Sequence, residues 1–247
     1  MKSPTKSAGI FHNFISYIAK TPKEETLIRF KTKEERLEYN QRIMQRIGMN
    51  TNNFSVLNVH QIAIDAPVHD IFDELMHWNG DSTYWPNYLA KVDRIENKLE
   101  RIRILPFGWK KYPFSFMKSF FGLRLIPLFL LTAIRIKSVP DENNDNARYL
   151  LYQCTGGYPI GIFAMYVRST IPEIGESKAS QLIVGVSFNF YGKKKWQEKR
   201  KLINILWEWI HNRVTSNVLQ RLKQLSEYRI IQIQEAKQKD SSPHNKT

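Results

Sequence analysis

The stretch KWQEKRKLINILWEWIHNRVTSNVLQRLKQLSEY, residues 195–228, decides the fold and holds neither Pro nor Gly. Leu202, Leu206, Trp209, Ile210, Val214, Val218, Leu222 and Leu225 recur in it at three- and four-residue steps, which places them on one apolar stripe of a long helix. Trp196, Ile203 and Trp207 widen the stripe near its start, just after the basic turn Gly192-Lys193-Lys194-Lys195. So broad a face requires burial against something equally broad. The chain between residues 54 and 191 reads mainly as strands, so the expected architecture is α+β, a curved antiparallel sheet wrapped around this helix.

Working back, Leu182, Val184, Val186, Phe188 and Phe190 alternate with Gly185, Ser187 and Asn189, the period of a half-buried strand facing the helix. Strands are also predicted over 54–64, 89–96, 101–105, 123–139, 148–154 and 161–170. The polar run from Asp141 to Asn146 turns the chain between two of them. Asp65-Ala66-Pro67 ends the first strand, and Pro67 suits the start of a helix carrying Val68, Ile71, Phe72 and Leu75 inward. Pro106 to Met117 holds too many prolines and aromatics for a central strand.

Ahead of the strands, Ile10, Phe11, Phe14, Ile15 and Ile18 form an amphipathic helical pattern beside Lys2, Lys6 and Lys20. Such a segment packs on its own domain or lies on an anionic membrane surface. Thr32-Lys33-Glu34-Glu35 has the form of a capping box, predicting a helix that stops at Gly48. The division expected is an N-terminal helical extension over 1–50, a main domain over 54–228 and a polar, disordered tail over 229–247.

The chain has 247 residues, 42% of them hydrophobic, and its 37 basic against 23 acidic side chains give a formal charge of +14. That balance favours anionic partners, or is simply a basic, soluble surface. One cysteine, Cys154, excludes an internal disulfide and any Cys-rich metal site, and suits a reducing, cytoplasmic setting. The apolar block Leu125 to Ile134 is broken by Pro127 and falls short of the ~20 residues that a bilayer span needs.

A strand ending Ile64-Asp65-Ala66-Pro67, the helix Val68-His69-Asp70-Ile71-Phe72-Asp73-Glu74-Leu75, the loop Tyr84-Trp85-Pro86 and a strand from near Leu89 together resemble the opening of the START-like (SRPBCC) superfamily. That superfamily includes polyketide cyclases and Bet v 1-type ligand carriers, and the long helix here sits where its gripping helix would be. The resemblance covers roughly residues 54–228 and implies a helix-grip fold with a cavity between sheet and helix. Residues 1–50 lie outside it.

The six histidines show no i, i+4 pair, so no metal site is predicted, and no cofactor. Neither Cys154, a lone cysteine on a strand, nor the carboxylates Asp70, Asp73, Glu74, Glu173 and Glu176 form a catalytic set. Arg103, Arg135 and Arg168 stand inside apolar β-forming runs, where an inward guanidinium would hold an anionic headgroup; outward, each is a solvated strand residue. The expected ligand-binding residues are Trp78, Trp85, Trp109, Phe129, Arg135, Tyr152, Tyr166, Arg168, Phe188 and Trp207, although core packing explains any one aromatic taken singly. The reading is therefore a carrier or binder of a hydrophobic or amphipathic small molecule, a lipid included, peripheral at a membrane if its N-terminal segment docks there. The alternatives are a cyclase or dehydratase-type enzyme on the same scaffold, or a basic membrane- or nucleic-acid-binding module.

Overall fold

Alternation of apolar and polar residues produces the seven strands found among the described residues. In the computed structural model, residues 12, 15–50, 56–76, 90–96, 98–106, 129–137, 147–157, 160–170, 179–188 and 201–241 are described. The strands are β1 (Val56–Ile64), β2 (Ala90–Ile95), β3 (Lys98–Pro106), β4 (Phe129–Lys137), β5 (Ala147–Gly157), β6 (Ile160–Ser169) and β7 (Ser180–Phe188). They form one antiparallel sheet in the order β1-β7-β6-β5-β4-β3-β2. The last six strands are a meander, and β1 returns to pair with the last of them. The expected hairpin around Asp141–Asn146 is present in the pairing of Lys137 with Tyr149. β5 ends at Gly157, and the register shifts just before the two glycines, between Leu131 opposite Cys154 and Leu130 opposite Gly156.

Among the described residues, 15–19 are helical, and three further helices accompany the sheet. The first, α1 (Lys33–Tyr39), continues through a π turn (Asn40–Met44) and a 3-10 turn (Gln45–Ile47) to Gly48, whose φ of 84° is the left-handed stop that glycine permits. Its cap is reciprocal: the Thr32 hydroxyl accepts from the Glu35 N–H at 3.1 Å, and the Glu35 carboxylate accepts from the Lys31 N–H at 2.7 Å. The second, α2 (Val68–Leu75), buries Val68, Ile71, Phe72 and Leu75 as its spacing predicts. The third, α3 (Lys201–Ser241), continues past the expected end at Tyr228. Gln, Glu, Ala and Lys dominate that continuation and carry little helix penalty, so polarity there marks an exposed helix instead of a disordered tail.

The two faces of the sheet bury different partners. On one, Ile62, Ile64, Leu150, Tyr152, Met165, Val167, Leu182 and Val184 pack with α2 and with Leu219 and Leu222 of α3. On the other, Val59, Leu151, Ile162, Ala164 and Ile183 pack with Ile43, Met44, Ile47 and Met49. Each fully buried aliphatic side chain contributes about 1.5–3 kcal/mol. The N-terminal segment is thus the second cover of the sheet, and it also occupies the free edge of β1. The Ile28 N–H donates to the Val59 carbonyl and the Gln61 N–H to the Thr26 carbonyl, both at 2.8 Å. An open edge strand invites pairing with other chains, and residues 26–28 occupy that position.

Candidate ligand-binding site

The helix α3 runs beside β1 in the same direction. Asn58 Nδ2 lies 3.2 Å from His211 Nδ1, the Lys223 ammonium donates to the Ala63 carbonyl at 2.7 Å, and the Asp65 N–H donates to Glu227 Oε1 at 3.0 Å. Between these anchors the helix is seated by polar as well as apolar groups: Ser216, Asn217 and Ser226 are buried beside Leu219 and Leu222. Asn217 Nδ2 donates to the carbonyls of Tyr17, Lys20 and Arg213 at 2.9–3.0 Å. Side chains on the N-terminal segment's side of the helix therefore help to fix its rotation.

That rotation differs from the one the apolar stripe predicts. Leu222 is fully buried, but Leu206 is 57% and Trp209 47% exposed, and neighbouring Ile205 is 62% exposed. Successive contacts pair Glu227 with Asp65, Lys223 with Ala63 and His211 with Asn58, so residues 205–209 lie farther along, toward the end of the sheet where Val56, Phe188 and Ile160 are in register. Phe129, opposite Gly157 of β5 and Ile104 of β3, occupies the same end. Trp207 belongs to this turn of α3.

The remaining expected residues fall elsewhere. Tyr152 is fully buried on the helix face, and burial pushes its phenol well above the ordinary range. Tyr166 packs on the opposite face, with the N-terminal cover. Arg168, two residues on in β6, shares that face and donates from Nε and Nη2 to Gln181 Oε1 at 2.8 and 2.5 Å. These two positions are separated from Tyr152 by the sheet, because a strand's side chains alternate between faces. Arg135 lies in β4 opposite Leu151, beside a register shift. Trp78, Trp85 and Trp109 lie outside the described residues.

A buried polar network on the helix face is the feature the sequence reading missed. His60 Nδ1 lies 2.9 Å from Thr26 Oγ1, which lies 2.9 Å from Ser216 Oγ, and the Ser216 hydroxyl donates to Asn212 Oδ1 at 3.2 Å. With Ser216 donating onward, Thr26 donates to Ser216 and accepts from a protonated Nδ1 of His60. His60 Nε2 is then a buried lone pair without a hydrogen-bond partner. Burial, with a smaller contribution from His211, depresses His60 to about 2, and burial depresses His211 to about 4, so both rings are neutral at neutral pH. The signal was available: Asn58 and His60 have the same strand parity as Ile62 and Ile64. Among the described residues no group of three or more His, Cys, Asp or Glu side chains could hold a metal ion.

A seven-stranded antiparallel sheet with a long C-terminal helix across one face is the helix-grip fold that the resemblance in the sequence implies. No family model matches the sequence, and no curated protein matches it. Among solved structures, the chain is similar to the Zhui aromatase/cyclase from Streptomyces sp. R1128, at 13% identity and a TM-score of 0.42 over 71% of this chain and 95% of that one. It is also similar to norcoclaurine synthase from Thalictrum flavum, at 11% identity and a TM-score of 0.39 over 71% and 86%. A START superfamily protein from Mycobacterium smegmatis matches at 10% identity and a TM-score of 0.36 over 66% and 97%. Likenesses this distant carry no argument about function, and the fold assignment rests on the strand order and the helix. Among the described residues no helix is long and apolar enough to cross a membrane.

Proposed function

We propose that the protein binds a hydrophobic or amphipathic small molecule, of the lipid class, where α3 leaves its seat on the core. One observation supports this reading above the others. Ile205, Leu206 and Trp209 are exposed on a helix whose middle turns bury Leu219 and Leu222, at the end of the sheet that also holds the Phe129 and Phe188 positions. Clustered apolar exposure of this kind marks a binding surface more often than a solvated one. A fatty or polycyclic molecule laid there gains about 25 cal/mol for each Å² of apolar surface removed from water. Tyr152, on the same face of the sheet, is proposed as part of the apolar wall beneath.

The test is titration of the native tryptophan fluorescence with a long-chain fatty acid and its methyl ester, with mass spectrometry of whatever co-purifies. Saturable binding that weakens in Trp209→Ala is expected. If neither compound binds and nothing apolar co-purifies, the carrier reading fails.

A further inference from the structure

Apart from its exposed apolar end, α3 borders a concave feature farther along its length. It is a cleft of about 160 Å³ between the N-terminal segment and α3, lined by Tyr17, Lys20, Lys23, Asn217, Gln220, Arg221 and Gln224. Three of these side chains are cationic and none is acidic. The walls are held in place: Asn217 Nδ2 donates to the Tyr17 and Lys20 carbonyls, the Lys23 N–H donates to Gln220 Oε1 at 3.2 Å, and Gln220 Nε2 donates to the Glu24 carbonyl at 2.9 Å. Both ends of the Gln220 amide and the Nδ2 of Asn217 are used in bracing the cleft, so the lysines supply the charge. The nearby carboxylate of Glu25 is engaged by Arg29 and by Asn212.

We propose that this cleft is a site for a phosphate monoester, either a soluble phosphorylated metabolite or the headgroup of an anionic lipid. Two ammonium groups on a braced backbone beside a guanidinium match a compact dianion better than a single carboxylate, because each adds a charge-assisted hydrogen bond to a separate oxygen. The volume accommodates a tetrahedral anion and its bound water, each water taking about 30 Å³. The site is independent of the apolar end of α3, so its failure would leave the carrier reading untouched.

The full-length protein is titrated calorimetrically with glycerol 3-phosphate, and in parallel by co-sedimentation with phosphatidylcholine vesicles containing phosphatidic acid. The Lys20→Gln/Lys23→Gln pair is compared with Lys98→Gln/Arg101→Gln, an equal loss of charge at exposed side chains of β3, far from β1 in the sheet. Weakening by about tenfold or more in the first pair, and by less than about twofold in the second, is expected for at least one probe. A response to glycerol 3-phosphate assigns a soluble ligand; a response to phosphatidic acid alone assigns the headgroup. Equal weakening by both pairs, or no binding of either probe to the unaltered protein, overturns the proposal. Lys20 and Lys23 are exposed, so unchanged thermal melts are expected in both variants.

Discussion

The imidazoles of His60 and His211 meet between β1 and α3 with centroids 5.3 Å apart and planes tilted by 49°. One belongs to the sheet and the other to the helix, so the pair lies across the interface that the fold depends on. Both are neutral in the folded protein and titrate normally once it unfolds.

That difference sets an acid sensitivity. Their folded values, about 2 and about 4, lie below the ordinary 6.5, so between pH 6.5 and about 4 the unfolded chain binds protons that the folded one does not. Stability is fully present above pH 6.5 and is lost as pH falls, by about 2 kcal/mol per histidine at pH 5. Urea unfolding at several pH values should show this slope, and His60→Asn and His211→Asn should each flatten it. An unchanged slope in both variants would assign the acid lability to carboxylates.

Truncation tests how far α3 matters. Arg229 Nη1 stands 4.0 Å from Oε2 of the buried Glu74, and Ile230 packs on the helix-face core. Ending the chain at Tyr228 should cost about 1–3 kcal/mol, whereas ending it at Ala236, which keeps both residues, should cost less than about 0.5 kcal/mol. Denaturant midpoints separate the two outcomes.

Leu222 and Leu206 are the same residue type on the same helix in opposite environments. Leu222→Ala should lose about 2–4 kcal/mol through the cavity it leaves, while Leu206→Ala should stay within about 0.5 kcal/mol. Binding of a fatty acid should show the reverse order of sensitivity. If Leu206→Ala leaves binding unchanged, the exposed apolar turn is not where the ligand sits.

Gly185 of β7 is the contact point for the N-terminal cover. A Cβ there would stand 3.2 Å from the Met49 sulfur and 3.5 Å from that of Met44. Alanine is accommodated by a small shift of two flexible methionines, but Gly185→Leu should overpack the layer by about 1–3 kcal/mol. Protease cleavage within residues 20–50 should then accelerate before the rest of the domain melts. Uniform resistance in the leucine variant would mean that the cover is not seated on β7.

The sequence by itself determined the elements, because their causes are local. The alternation of Leu182, Val184 and Val186, the Pro67 start of α2, the Thr32–Glu35 cap and the Gly48 stop are set by neighbours within a few residues, and each is found where its pattern places it. Strand parity extended to Asn58 and His60 would also have shown them facing the helix. Tertiary structure alone decided which part of the α3 stripe is buried, since that depends on where β1 lies beneath it and on the hold of Asn217 on Tyr17, some two hundred positions away in the chain. It likewise placed Tyr166 and Arg168 against the N-terminal cover and Tyr152 against the helix. A strand's period gives two faces, but only packing tells which partner each one meets.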